Sequence, residues 1–204
     1  MTLRVEKLRI YYPDWQREYD LIAEQGERLA LKGPSGMGKT TLLMALAGFI
    51  APISGSASWL GNDLLALPPE KRPIAMLFQD DNLFEHLSVA QNLRLGLTQE
   101  AFNEQLPRAL SRLGLDDQLS KRPGQLSGGQ RQRVGLVRTL LRPEPLVILD
   151  EPFAQLDAVT RTLAIGFTLE QVVQSNKTLL LITHQDEDIA ALATRTLHLD
   201  AQEA

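Results

Sequence analysis

The sequence predicts an α/β fold built on a mainly parallel sheet, and two kinds of segment carry that prediction. A glycine-rich loop at residues 33–40 lies between a strand-like run at residues 29–31 and a helix-like run at residues 41–47. Three other runs are apolar except for Thr178 at the start of the last one, as expected for parallel strands covered on both faces. These runs are residues 74–78, 146–149 and 178–182. Helical periodicity separates the runs, so one α/β unit with a parallel sheet is expected.

Composition restricts the class of protein. The chain has 204 residues, a formal net charge of −4 and no cysteine. This length suits a single domain, the absence of a basic run argues against a nucleic-acid partner, and disulfide or thiolate chemistry is excluded. The N-terminus lacks a signal-peptide pattern, and the longest apolar run, near residues 42–53, is too short to cross a bilayer. The sequence therefore predicts a chain that does not itself span a membrane.

The glycine-rich loop fits a specific pattern. Gly33-Pro34-Ser35-Gly36-Met37-Gly38-Lys39-Thr40 matches G-x-x-x-x-G-K-[ST] at every specified position. In a strand, loop, helix context, its backbone N–H groups and the positive end of the following helix face a phosphate group. Lys39 can then reach the β- and γ-phosphates, and the Thr40 hydroxyl can ligate Mg²⁺. The loop predicts nucleotide binding.

The first part of the chain has the pattern of a sheet. Residues 3–10 alternate apolar and polar side chains, and residues 19–23 and 28–31 are also strand-like. Another short strand is predicted at residues 55–60, before the buried run at 74–78. Gln79 follows that run, at the edge where open α/β sheets bind ligands, although a lone polar residue there is better explained as part of a loop.

The middle of the chain is helical in pattern. Apolar stripes begin at Ser88 and extend over residues 100–113, where Pro107 is expected to kink or split the helix. Residues 158–174 predict one more helix despite Gly166. The stretch from Ser88 to residue 113 is interpreted as a helical insertion.

A further helix is predicted at residues 125–141. Ser127 and Gln130 are spaced to form a capping box at its start. Gly128 and Gly129 lie between them, although glycine weakens the first turn of a helix. A well-capped helix start explains the cap but not the glycines, so a second anion-binding helix end is the favoured interpretation.

Two carboxylates and a histidine complete the polar pattern. Asp150 and Glu151 follow the buried run at 146–149, and His184 follows the run at 178–182. Neighbouring residues at a strand end point differently, so Asp150 can support Mg²⁺ through water while Glu151 polarises an attacking water. These side chains are expected to meet Gln79 at one rim of the sheet.

Taken together, these residues resemble the ATP-binding cassette superfamily over residues 12–184. Leu126-Ser127-Gly128-Gly129-Gln130 matches the signature sequence of that family at every position. In the family, the signature binds the γ-phosphate of ATP held by the phosphate loop of a second subunit, so the resemblance implies a dimer. It also implies a P-loop NTPase (RecA-like) core, an N-terminal antiparallel β subdomain and an inserted α-helical signature subdomain. The expected division is one nucleotide-binding domain over 1–204, with its core at 1–83 and 144–204 and the helical subdomain at about 84–143.

The resemblance assigns roles by position. It implies the catalytic residues Glu151 (base), His184 (switch histidine), Lys39 and Gln79. It implies metal binding by Thr40, Gln79 and Asp150. It implies nucleotide binding by Tyr12, Gly33, Pro34, Ser35, Gly36, Met37, Gly38, Lys39, Thr40, Thr41, Ser127, Gly128, Gly129 and Gln130.

Several details of the match remain open. Tyr12 is the residue chosen to stack on adenine, and Tyr11 is the alternative. Asp157 matches the end of the D-loop, but Ala154-Gln155-Leu156-Asp157 departs from the commoner Ser-Ala-Leu-Asp. The chain stops soon after Leu199, so no appended regulatory domain is expected.

The function implied is that of an ATPase subunit, with ATP and Mg²⁺, that drives a separate membrane permease. Residues 68–95 are similar to small bacterial importer cassettes, those for thiamine in particular, so a solute-binding protein and a position on the cytoplasmic face of the inner membrane are expected. Leu83, Phe84 and Leu87 lack a clear period and are interpreted as lining a groove for the permease; ordinary packing of Phe84 is the alternative. A soluble ATPase of DNA repair or translation is the alternative function.

Overall fold

The N-terminal part of the protein is an antiparallel sheet. The computed structural model describes residues 2–12, 15–80 and 82–199, with side chains at all of these except 12 and 15. Four strands pair in the order β2-β1-β4-β5. They are β1 (Thr2–Tyr12), β2 (Trp15–Glu24), β4 (Ser54–Trp59) and β5 (Asn62–Asp63). The strand predicted at 55–60 ends one residue early because Leu60, with φ 53°, already belongs to the turn.

The second sheet is parallel and has five strands in the order β6-β7-β8-β3-β9. They are β3 (Arg28–Lys32), β6 (Ile74–Leu77), β7 (Leu146–Asp150), β8 (Thr178–Ile182) and β9 (Arg195–His198). Ile182 pairs with both Leu31 and Asp150. The carboxyl ends of β3, β7 and β8 therefore lie side by side, and the segments that follow them share one rim.

Six α-helices occur in the described part of the chain. They are α1 (Lys39–Ala47), α2 (Val89–Arg94), α3 (Leu106–Arg112), α4 (Gly128–Leu140), α5 (Ala158–Gln174) and α6 (Asp186–Leu192). Pro107 lies in the first turn of α3, directly after a π-helical segment at Ala101–Gln105. The helix predicted at 100–113 is thus helical without a break through residue 112, but it changes from π-helical to α-helical hydrogen bonding just before the proline, which cannot donate a backbone hydrogen bond. Among the described residues, no helix combines the length and apolar character that crossing a bilayer would need.

The parallel sheet separates two hydrophobic cores. Alternate residues of β7 face opposite sides: Val147 and Leu149 belong to the core formed with α2 to α5, whereas Leu146 and Ile148 belong to the core formed with α1 and the antiparallel sheet. The helical insertion therefore shares a core with the sheet. These findings confirm the predicted fold class, while the division at residues 84 and 143 stays a prediction.

Candidate functional site

The glycine-rich loop closes over the first turn of α1. Gly38 has φ 74°, a left-handed conformation that strains other residues, and it directly precedes the helix. The Lys39 ammonium donates hydrogen bonds to the carbonyls of Gly33 (2.7 Å) and Pro34 (2.9 Å). Burial lowers the pKa of Lys39, and the charges of Asp150 and Glu151 oppose that shift. The loop is thus curled around a partly desolvated cation.

Two side chains from β2 contact the loop on the side of the antiparallel sheet, and no sequence pattern predicts either contact. Arg17 donates to the Met37 carbonyl (2.7 Å), and the Tyr19 hydroxyl donates to the Gly38 carbonyl (3.0 Å). Burial raises the pKa of Tyr19 to about 12, so the phenol keeps the proton that it donates. The antiparallel sheet therefore fixes the backbone of the phosphate loop.

Asp150 ends β7 beside the same helix. It is 1% exposed and accepts a 2.7 Å hydrogen bond from the Thr40 hydroxyl at its Oδ2. Burial raises the pKa of the Asp150 carboxyl, whereas the Thr40 hydrogen bond and the charge of Lys39 lower it. This contact joins α1 to the carboxyl end of β7.

Glu151 has an unusual backbone and a poorly solvated carboxylate. Its φ is 47°, and its N–H donates to the Ile182 carbonyl at 2.9 Å. Its Oε1 is buried without a hydrogen-bond partner, and the His184 Nε2 lies 3.4 Å from it. Burial raises the pKa of Glu151, and His184 offsets part of that increase. A buried carboxylate oxygen with no hydrogen-bond donor is suited to accept a proton from a water molecule.

These groups line one cleft of about 350 Å³. Its walls are formed by Ser35, Gly36, Met37, Gly38, Lys39, Thr40, Thr41, Gln79, Asp150, Glu151, Ile182 and His184. The structure thus brings together the predicted phosphate loop and the polar ends of three strands. Gly33 and Pro34 contribute the carbonyls that hold Lys39 rather than lining the cleft.

The signature residues lie at the start of α4 and are not among those lining the cleft. The predicted capping box is present: Ser127 Oγ accepts from Gln130 N (3.2 Å), and Gln130 Oε1 accepts from Ser127 N (2.9 Å). A Cβ added to Gly128 would meet Gln155 Oε1 at 2.3 Å, and one added to Gly129 would meet the Gln155 carbonyl oxygen at 2.9 Å. The start of α4 therefore packs closely against the loop after β7, which is a second reason for the paired glycines. The sequence did not predict this contact.

Two other predicted residues have distinct positions. Asp157 caps α5, accepting from the N–H groups of Thr160 (3.0 Å) and Val159 (3.1 Å), and the hydrogen bonds from Thr160 lower its pKa. The side chain of Tyr12 lies outside the described residues, so the choice between it and Tyr11, which is 59% exposed, stays a prediction.

The donor set around Asp150 fits a hard divalent cation. No group of three or more His, Cys, Asp or Glu side chains in the described part of the chain could hold a metal alone. Thr40 Oγ1 and Asp150 Oδ2 are 2.7 Å apart, close to the spacing of about 3 Å between adjacent oxygens in octahedral Mg²⁺ coordination. Mg²⁺ is commonly held by one or two such protein groups together with substrate phosphates. The residues present are compatible with that mode of binding.

The segment after Gln79 presents Phe84 at the surface. Phe84 is 51% exposed, with the Arg138 guanidinium 5.9 Å from its ring centre. The buried amide of Asn92 holds this segment, accepting from Phe84 N (2.8 Å) and donating to the Phe84 carbonyl (3.1 Å). Phe84 is therefore not a core residue.

A phosphate loop, a cation, a hydroxyl and two carboxylates in one cleft define the class of P-loop nucleoside triphosphatases. The family model described as ABC transporter matches residues 17–154 of this chain. The chain therefore belongs to the ABC transporter family, and it is an ATP-binding and ATP-hydrolysing subunit of that family.

Individual proteins show the same relationship. Two relatives, both described as thiamine import ATP-binding protein ThiQ, come from Shigella boydii serotype 4 (strain Sb227) and Escherichia coli (strain K12). Each is 42% identical over 200 residues, which is 96% of this chain and 86% of the relative. A solved structure described as the ATP binding subunit of an ABC transporter has a TM-score of 0.86 at 29% identity, covering 97% of this chain and 85% of that one. A dimeric cassette bound to ADP and Pi, at 22% identity, has the same fold, with a TM-score of 0.83 over 96% of this chain and 93% of that one.

Proposed function

We propose that this chain is the peripheral ATPase subunit of an importer, located at the cytoplasmic face of the inner membrane. It drives separate permease subunits, which receive the solute from a solute-binding protein. The observation that carries the proposal is the cleft in which the phosphate loop meets Asp150, Glu151 and His184. The ThiQ description of the relatives supports thiamine or a similar small solute.

The proposed chemistry divides among the residues of the cleft. The loop amides and Lys39 bind the β- and γ-phosphates, because both supply positive potential at the start of α1. Glu151 accepts a proton from the attacking water, for which its buried oxygen is suited. His184 and Gln79 would sense the γ-phosphate; the 3.4 Å distance from His184 Nε2 to Glu151 Oε1 supports this role for the histidine.

Mg²⁺ is part of the proposed site. Thr40, Asp150 and Gln79 would hold it, and the ion would neutralise charge that develops on the phosphate oxygens. Thr40 would bind the ion directly and Asp150 would do so through water, and the hydrogen bond between these two side chains fixes their relative position.

A second copy of the chain would complete the site. Ser127 is exposed and lies outside the cleft of its own chain, so the signature is free to face nucleotide held by a partner. In this arrangement, each of two composite sites takes its phosphate loop from one copy and its signature from the other.

The catalytic part of the proposal is tested with Glu151→Gln. This variant should bind MgATP normally but hydrolyse it about 100-fold or more slowly, the usual contribution of a general base. Size-exclusion chromatography with MgATP should show a larger species than without nucleotide. Near-normal turnover would remove Glu151 from its role.

The dimer is tested by combining two variants, each of which carries a different defect. Ser127→Arg should keep ATP affinity and lose turnover, and Lys39→Ala should lose nucleotide binding. A mixed dimer of the two variants retains one composite site with neither defect, and we expect it to hydrolyse ATP at up to about half the normal rate. Complete absence of hydrolysis in verified mixed dimers would contradict independent shared sites.

The solute and partner are tested in membranes. The tagged chain should co-purify with a permease, and the complex in vesicles should accumulate radiolabelled thiamine only when ATP is present on the side of the ATPase subunit. ATP-driven transport of a different solute would correct the solute and leave the ATPase role intact.

A further inference from the structure

Gln132 links the helix that begins at the signature to the backbone of Glu151. It lies in the second turn of α4 and is 8% exposed. Its Nε2 donates to the Glu151 carbonyl at 3.0 Å, and its Oε1 accepts from Gln155 N at 2.9 Å. One buried amide therefore satisfies a backbone acceptor and a backbone donor at the two ends of the same short loop.

The backbone that Gln132 holds is strained. Glu151 has φ 47°, a left-handed conformation that is unfavourable for a residue with a side chain and persists only where its surroundings enforce it. Its N–H is fixed by the Ile182 carbonyl at 2.9 Å, whereas its carbonyl accepts from Gln132 and, at a longer 3.4 Å, from Ala154 N. Loss of the Gln132 amide would leave the carbonyl side of Glu151 with only the weaker bond.

The same loop is also pressed against the start of α4. The Gln155 carbonyl oxygen would lie 2.9 Å from a Cβ at Gly129, so the helix and the loop are in backbone contact there as well. A shift of α4 would therefore act on the loop through two neighbouring contacts, one hydrogen-bonded and one steric.

We propose that Gln132 is a positioning residue for hydrolysis, which holds Glu151 in its left-handed conformation and transmits movement of α4 to it. The proposal rests on the role of Glu151 as the base. In the proposed dimer, α4 presents its signature to nucleotide of the partner, while Glu151 acts on nucleotide in its own chain. Gln132 would thereby connect the two composite sites through a single subunit.

Two substitutions of Gln132 distinguish its role in positioning Glu151 from a role in packing alone. Gln132→Met keeps the side-chain length and removes both hydrogen bonds. Gln132→Glu keeps the acceptor for Gln155 N and, with its carboxyl ionised, has no proton to donate to the Glu151 carbonyl. Gln174→Ala is the control, because Gln174 is an exposed glutamine on α5 whose only described side-chain bond is a 3.4 Å contact to Glu170.

ATP hydrolysis by the full-length chain is measured with each variant, together with thermal melting. We expect both Gln132 variants to lose about tenfold in kcat, with KM for ATP changed by less than about twofold, as for a misplaced catalytic group. Gln174→Ala should match the parent. If Gln132→Met does not fold, Gln132→Glu decides the question.

Single-turnover assays of Gln132→Met in a Glu151→Gln background distinguish failure of the inference about Gln132 from failure of the proposed role of Glu151. We expect no further loss of rate in the double variant, because the group that Gln132 positions is already gone. An equal loss in both backgrounds, or unchanged kcat in a folded Gln132 variant, overturns the inference alone. Near-normal turnover by Glu151→Gln overturns the proposed role of Glu151, and the inference with it.

Discussion

A buried ion pair between α5 and α6 leads to an asymmetric prediction. Asp188 has a side chain 2% exposed, and its Oδ1 accepts from Arg161 Nε at 2.9 Å; Arg161 Nη2 lies 2.8 Å from the same oxygen. Its Oδ2 accepts from the Thr183 hydroxyl at 3.0 Å. Thr183 immediately precedes His184, so the pair also supports the end of β8. We expect Arg161→Met to destabilise the protein more than Asp188→Asn.

The two losses of stability differ because each substitution leaves a different member of the ion pair without its partner. Arg161→Met leaves a carboxylate that is almost fully buried, and stranding one member of a buried pair costs about 3–5 kcal/mol. Asp188→Asn leaves Arg161, whose Nη2 is buried but whose side chain as a whole is 23% exposed, and the asparagine oxygen still accepts a hydrogen bond. That loss should be about 1–2 kcal/mol.

Thermal and urea unfolding of the purified chain measure both values. For a chain of this size, about 2–4 °C per kcal/mol gives a decrease in Tm of roughly 6–20 °C for Arg161→Met. The double variant Arg161→Met with Asp188→Leu should recover most of this loss, because no charge is left buried. Equal destabilisation by the two single variants, or no recovery in the double variant, would refute the reasoning.

Three further predictions concern pH and the surface. Because burial raises the pKa of Glu151 and the base must be ionised, kcat should fall as the pH is lowered through that raised pKa; a pH–rate profile in which Glu151→Gln keeps the same acid limb would exclude this origin. Phe84→Asp should change stability by less than about 0.5 kcal/mol yet abolish permease-stimulated ATP hydrolysis, measured with the permease in vesicles. The control is Val173→Asp, at an apolar position that is similarly exposed (55%), and it should leave the stimulation intact. Burial lowers the pKa of Lys177 from 10.5 to about 8, so between pH 8 and 10 the unfolded chain binds more protons than the folded chain. The stability of the parent relative to Lys177→Met should therefore rise with pH in this range, by up to about 1.4 kcal/mol per pH unit. Urea titrations in which this stability difference stays constant or falls with pH would contradict the prediction.

Much of the fold and most of the cleft could be predicted because their signals are local in sequence. The phosphate loop, the acidic pair after β7 and His184 after β8 each follow a strand, and parallel pairing brings strand ends together. The capping box at Ser127 has a fixed spacing and is present.

The remaining features depend on tertiary contacts that carry no sequence pattern. Tyr19 and Gln132 act on backbone groups 19 or more residues away, at Gly38 and Glu151, and no spacing rule relates such positions. The left-handed backbone of Glu151 was also unforeseen, since glutamate has no preference for it.

The contact of Gln155 with the start of α4 has a consequence for how this family can diverge. The obstacle at Gly128 is the flexible end of the Gln155 side chain, whereas the obstacle at Gly129 is main chain. A shorter residue at position 155, such as the alanine of the commoner D-loop sequence, would remove the first obstacle but not the second. In a chain that has lost its nucleotide, packing would therefore allow positions 128 and 155 to change together, whereas the main-chain contact would still require glycine at position 129.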